Sequence, residues 1–148
     1  MSEGRFDFSP MNSADIEAYR SWFSDPELAR RLSEPSEAWI AYVAAAPRPA
    51  AWSVAEQGEL VAHIQLEYLE NGYCLVAIAI KPALRNRHLS TEIMSRFIET
   101  TLAGQEVVEA HVEQDNIASI RALGKLGFSR VSAEPDADAF LGFELRRG

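Results

Sequence analysis

The order of its predicted elements makes this chain an α/β sandwich around one mixed sheet. Three observations carry that reading: alternating segments between Ala51 and Ile80 form a meander, later strands alternate with helical segments, and 148 residues suffice for one domain with a real core. A single domain over residues 1–148 is expected, without internal repeats or a convincing linker.

Phe6 and Phe8 flank Asp7 in a short alternating first strand. Asn12 or Ser13 then caps a helix through Phe23, which ends at the Ser24-Asp25-Pro26 turn. Glu37 to Ala46 is the second helix, capped by Ser33 or Ser36, with Trp39, Ile40 and Val43 on one face and Pro47 beyond its end.

Ala51 to Ala55 and Leu60 to Tyr68 are strands joined at Gln57-Gly58. Alternation puts Val61, His63, Gln65 and Glu67 on one face of the second, away from the more apolar Leu60, Ala62, Ile64, Leu66 and Tyr68. Asn71-Gly72 is a strong hairpin signal and leads into the strand Tyr73 to Ile80. Ile93, Phe97, Ile98 and Leu102 then stripe a helix broken at Gly104. Val107 to Val112 is a strand, Asn116 to Leu126 a helix stopped by Gly127, and Phe140 to Leu145 the last strand.

Composition narrows the function. With 14 Lys+Arg against 22 Asp+Glu, the formal charge of -8 opposes nucleic acid and anionic membranes and favours a cationic partner such as an amine. Cys74 is the only cysteine, so there is no intrachain disulfide framework, and a reducing compartment is the plain expectation. No apolar run approaches 18 residues and the N-terminus has no apolar signal core, so a soluble, cytoplasmic protein is expected. His63 and His111 have no partner at metal-ligand spacing, and no metal is expected.

One local exception stands out against the acidic background. Arg85-Asn86-Arg87-His88-Leu89-Ser90-Thr91 is a basic turn between a hydrophobic strand and a helix, with Pro82 breaking the strand upstream and Ser90 or Thr91 as the expected cap. Backbone N–H groups at a helix start, joined by two arginines, form an anion-binding arrangement suited to a phosphate-bearing partner.

The segment Asn116-Ile117-Ala118-Ser119 running into Lys125-Leu126-Gly127-Phe128 resembles the GNAT N-acyltransferase superfamily, which carries Asn-x-x-Ala/Ser and Lys-x-Gly-Phe at this spacing. Pro82 and Arg85 stand where that family's acetyl-CoA loop starts, and element order agrees along nearly the whole chain. Trp22 followed by Asp25-Pro26-Glu27-Leu28 looks like the branch holding ribosomal-protein N-terminal and aminoglycoside 6'-type acetyltransferases.

The resemblance implies a GNAT-like three-layer sandwich with a mixed, mostly antiparallel central sheet, acetyl-CoA as cofactor and CoA as product. It also implies that Arg85, Asn86, Arg87, His88, Leu89 and Ser90, continuing into Thr91, grip the pyrophosphate. Ile78, Ala79 and Ile80 would pair their backbone with the pantetheine arm, and Asn116 would contact CoA while capping its helix. Two departures matter: His88 and Ser90 occupy positions where glycine is common, and Leu123 replaces a tyrosine that protonates the thiolate in many relatives.

Amine acetylation needs an unprotonated nucleophile, an oxyanion donor and a proton for the thiolate. Glu67, late in its strand, is the first candidate base and Glu70 the second; each also reads as an ordinary surface carboxylate. Ser119 matches a branch serine thought to help at the thiol, or simply supports the first helical turn beneath Asn116. Tyr19, Trp22, Trp39 and Tyr42 divide between core and acceptor pocket. The expected acceptor is a primary amine of a small molecule or a protein N-terminus, with no nucleic acid or membrane partner and a homodimer left open. The alternative is a noncatalytic CoA-binding or protein-interaction domain of the same fold.

Overall fold

The computed structural model describes residues 4–85, 87–132 and 134–146, with the side chain of Asn71 excepted. Seven strands form a sheet in the order β1-β2-β3-β4-β5-β7-β6: β1 is Asp7–Pro10, β2 Ala51–Glu56, β3 Glu59–Tyr68, β4 Tyr73–Ile80, β5 Val107–Glu113, β6 Ser129–Arg130 and β7 Phe140–Arg146. The β1/β2, β2/β3, β5/β7 and β6/β7 pairs are antiparallel and β4/β5 is parallel, so the sheet is mixed as expected. Among the described residues five α-helices accompany it: α1 Ser13–Ser21, α2 Pro26–Arg31, α3 Glu37–Ala45, α4 Leu89–Thr100 and α5 Ile117–Lys125. No helix among the described residues is long and apolar enough to cross a membrane.

The chain divides into two compact units, Met1–Gln65 with Ile78–Leu89, and Leu66–Ala77 with Ser90–Gly148. In the first, Met11, Ile16, Tyr19, Trp22, Phe23, Leu28, Ala51 and Ala79 form one core cluster, with Trp39, Ile40 and Val43 of α3 packed against it. Polar ties fix α1 to the sheet: the buried Ser53 hydroxyl donates to Asp15 at 2.7 Å, and His63, opposite Ser53 in the β2/β3 register, stacks on Tyr19. Val61, Ala62, His63 and Ile64 are all buried, so β3 is covered on both faces. The sequence alternation therefore does not separate a dry side from a wet one there; Glu59, Gln65 and Glu67 are the exposed residues of the strand.

The β2/β3 hairpin turns at Gln57 (φ 52) and Gly58 (φ 81), the two consecutive left-handed residues of a type I′ turn. Its closing pair, Glu56 opposite Glu59, sets like charges face to face, and each carboxylate has its own cation, Arg5 on Glu56 and Lys81 on Glu59.

In the second unit α4 buries Ile93, Met94, Phe97 and Ile98, while β5 and β7 bury Val107, Val108, Ala110, Leu141 and Phe143. Cys74 of β4 is fully buried. Helix α5 begins with Asn116 as its cap and ends in a Schellman motif, the Phe128 N–H donating to Leu123 O and the Gly127 N–H to Gly124 O, with Gly127 at φ 94.

Four local expectations change. Ser24-Asp25-Pro26 is not merely a turn: Asp25 caps α2 and Pro26 occupies its first turn, where a missing N–H costs nothing. The first helix stops at Ser21, and Trp22–Ser24 continues as a 3-10 turn. Asn71-Gly72 belongs to a 3-10 turn, Glu70–Gly72, rather than to a two-residue hairpin loop. Finally, α4 starts at Leu89, so Ser90 and Thr91 lie inside its first turn and do not cap it.

Candidate functional site

Among the described residues the parallel ladder from β4 to β5 covers Tyr73, Cys74 and Leu75. Strand β4 nevertheless runs on to Ile80. Among the described residues Val76–Ile80 makes no ladder pair with β5, which leaves the backbone groups on that side of the strand open to another partner. Ala79 points into the core, while Ile78 and Ile80 are only partly buried, as strand alternation requires.

After Ile80 the chain is tied down at once. The Lys81 N–H donates to Val61 O at 2.9 Å and its ammonium meets Glu59 at 2.8 Å. A 3-10 turn, Pro82–Leu84, follows, closed by Leu84 N–H on Lys81 O and Arg85 N–H on Pro82 O. Asn86 lies outside the described residues. Arg87 and His88 are exposed, His88 takes φ 58, and the twelve-residue α4 begins with the buried Leu89.

The left-handed His88 explains the glycine that is common at its position. A left-handed residue lets the chain turn sharply into a helix; glycine adopts it freely, whereas an L-residue with a Cβ is strained by about 1 kcal/mol or more. Histidine is among the side chains that visit this region most often. The departure from glycine leaves the turn in place and adds an imidazole at the mouth of α4.

Arg85 is already partnered. Its Nη2 bonds Asp25 Oδ2 at 2.5 Å, and the same oxygen accepts the Leu28 N–H at 3.0 Å, the capping bond of α2. The Arg85 guanidinium and the Leu28 N–H hold the Asp25 carboxyl below the usual carboxylate range. Asp25 is the site residue that sequence reasoning missed. The signal was there in Asp25-Pro26-Glu27-Leu28, an Asp cap with proline at the first helical position, but the short element after it has too few residues to show a helical period.

The remaining candidates lie on separate elements of the second unit. Asn116 Oδ1 accepts the Ser119 N–H at 3.3 Å, so capping and first-turn support, the simpler role foreseen for both residues, are present. Glu67 and Glu70 are exposed, near the end of β3 and at the start of the turn into β4. Leu123 is buried and offers no proton. Of the four aromatics, Tyr19 and Trp22 belong to the core, Trp39 packs against it, and Tyr42 is exposed. Among the described residues no three His, Cys, Asp or Glu side chains come together to hold a metal ion.

Comparison with known proteins bears on the family and the fold. The family model for the acetyltransferase (GNAT) domain matches residues 5–129. The aminoglycoside N(6')acetyltransferase of Legionella pneumophila superposes with a TM-score of 0.83 at 18% identity, over 99% of this chain and 94% of that one. A GNAT-family acetyltransferase from Bacillus anthracis gives 0.77 at 16% identity, over 97% and 95%. The aminoglycoside acetyltransferase AAC(6')-Ib, solved with coenzyme A and kanamycin, gives 0.78 at 14%, over 96% and 95%. At these identities the likeness is one of fold. A comparison with curated proteins gives no match.

Proposed function

Because the chain belongs to the GNAT acetyltransferase family, we propose that it is an acetyl-CoA-dependent N-acetyltransferase that transfers an acetyl group directly to a primary amine of a small molecule or a protein N-terminus. The carrying observation is one continuous run of chain: the β4 segment Val76–Ile80 without a β5 partner, followed by an arginine-bearing turn, a left-handed His88 and the start of α4.

That run fits CoA. The backbone groups of Ile78–Ile80 that face away from β3 suit a pantetheine arm, and the first N–H groups of α4, at Leu89, Ser90 and Thr91, suit a pyrophosphate. Arg87 and His88 add side-chain donors, and Asn116 is a further proposed contact. Acetyl-CoA, when bound, supplies an activated thioester. Glu67 takes the proton from the incoming ammonium, directly or through water, with Glu70 as the second carboxylate, and where Leu123 offers nothing the Ser119 hydroxyl donates a hydrogen bond to the departing thiolate, which takes its proton from water. Solved relatives of the same fold include enzymes named for aminoglycosides and for spermidine, and the net charge of -8 suits such cationic acceptors.

The test is calorimetric CoA binding together with acetyl-CoA turnover over panels of aminoglycosides, polyamines and peptides with free N-termini. Turnover with one panel identifies the acceptor class. Tight CoA binding without turnover on any panel sinks transfer to these acceptors and leaves the noncatalytic CoA-binding reading; absence of CoA binding sinks the cofactor assignment itself.

A further inference from the structure

We propose that Asp25 is a positioning residue for the phosphate-binding turn: it holds the Arg85 side chain in place before CoA arrives, so that binding need not order it. The inference rests on the acetyl-CoA reading above and extends it to a residue that touches neither cofactor nor acceptor.

The anchor is firmly held. Asp25 caps α2, Pro26 fixes the backbone that follows, and Leu28, whose N–H the carboxylate receives, is buried in the core cluster. Arg85 lies 60 residues further along the chain, so the pair is a tertiary tie rather than a local bond. Its backbone is held as well, by the Arg85 N–H to Pro82 O bond. Only Nη2 is engaged. Among the described residues, Nε and Nη1 make no hydrogen bond, so the planar guanidinium keeps donors for an acidic oxygen while its orientation is set.

Ordering a long arginine costs rotamer entropy, and an arginine held in advance does not draw that cost from binding. Competition is the opposite physical outcome, with the carboxylate occupying a cation that a phosphate would otherwise take. The two differ in sign, which makes the experiment decisive.

Asn caps a helix about as well as Asp does but carries no charge, so Asp25→Asn keeps the α2 cap and removes the ion pair. The expected result is a Kd for CoA raised roughly ten-fold by calorimetry, because binding must then order the Arg85 side chain, with the urea midpoint nearly unchanged because a partly exposed ion pair contributes little to stability. Asp25→Glu keeps the charge on a longer, poorer cap, and is expected to recover most of the affinity while lowering the midpoint. Affinity and stability thus move in opposite directions across the two variants, as a merely structural role would not have them do. In an Arg85→Ala background, Asp25→Asn is expected to add nothing.

An unchanged or lower Kd in Asp25→Asn overturns the positioning role, as does an equal effect in both backgrounds. A wild-type chain that binds no CoA overturns the cofactor reading and this inference with it, whereas wild-type binding with an insensitive Asp25 overturns this inference alone.

Discussion

The imidazole of His63 lies stacked on the ring of Tyr19, with centroids 4.2 Å apart and planes inclined by 23°. Trp39 approaches the same imidazole edge-on, with centroids 6.0 Å apart. His63 is 2% exposed and, among the described residues, neither of its nitrogens has a hydrogen-bond partner; the Gln65 side chain pulls its pKa upward, by less than burial lowers it. Burial dominates and lowers that pKa from 6.5 to about 4, so the ring is neutral in the native protein at pH 7.

The sign of the pH dependence follows. Between pH 6.5 and about 4 the unfolded chain takes up a proton on His63 that the folded chain refuses, so stability is lost as pH falls through that window. The loss at the acid end is about 3 kcal/mol. Urea unfolding from pH 7 to pH 4 is expected to show this slope in wild type and a slope shallower by one proton in His63→Phe. Equal slopes would mean that His63 titrates alike in both states.

His88→Gly relieves the left-handed strain and is expected to stabilise the fold by about 1 kcal/mol, while His88→Val, β-branched at φ 58, destabilises it by at least as much. Denaturant midpoints of the two variants check this; the reverse order would show that the imidazole stabilises the turn by more than its backbone costs.

Asn116→Ala removes the cap from α5 and is expected to cost about 1 kcal/mol, whereas Asn116→Asp keeps it. Chemical denaturation of the pair separates the cap from any contact Asn116 makes with CoA, which calorimetry on the same variants reads independently.

Arg87 is exposed, and its proposed work is electrostatic. Arg87→Ala is expected to raise the Kd for CoA roughly ten-fold or more, as loss of a charge-assisted hydrogen bond to phosphate would. A flat Kd would remove Arg87 from the site.

Glu67→Gln is nearly isosteric and leaves an exposed position exposed, so it is expected to fold normally. If Glu67 is the base, kcat falls roughly 100-fold or more with little change in CoA binding. An unchanged kcat with a large loss in Glu70→Gln would move the assignment to Glu70.

What the sequence made legible was governed by period and by punctuation. The α4 stripe of Ile93, Phe97 and Ile98, the Gly127 stop and the Asn116 cap were readable because each depends on neighbours a few residues away. Helix α2 is six residues long and shows no period, and β6, a two-residue strand, shows no alternation. His63 was legible as a strand residue but not as a ring packed between Tyr19 and Trp39, because the elements that cover it come from elsewhere in the chain. The same limit hid the Asp25–Arg85 pair. Composition marked the turn as basic, yet which cation already had an anion was decided by tertiary packing.

The burial of Cys74 has a practical bearing on measurements of turnover. An acetyl-CoA reaction is conveniently followed through the thiol of released CoA, and the only thiol of this protein is shielded within β4. Folded enzyme adds no background to a thiol-reactive dye. A slow extra rise of one equivalent per chain, appearing without acceptor, would instead time the opening of the native structure around Cys74, so a single dye reports both turnover and the integrity of the protein carrying it out.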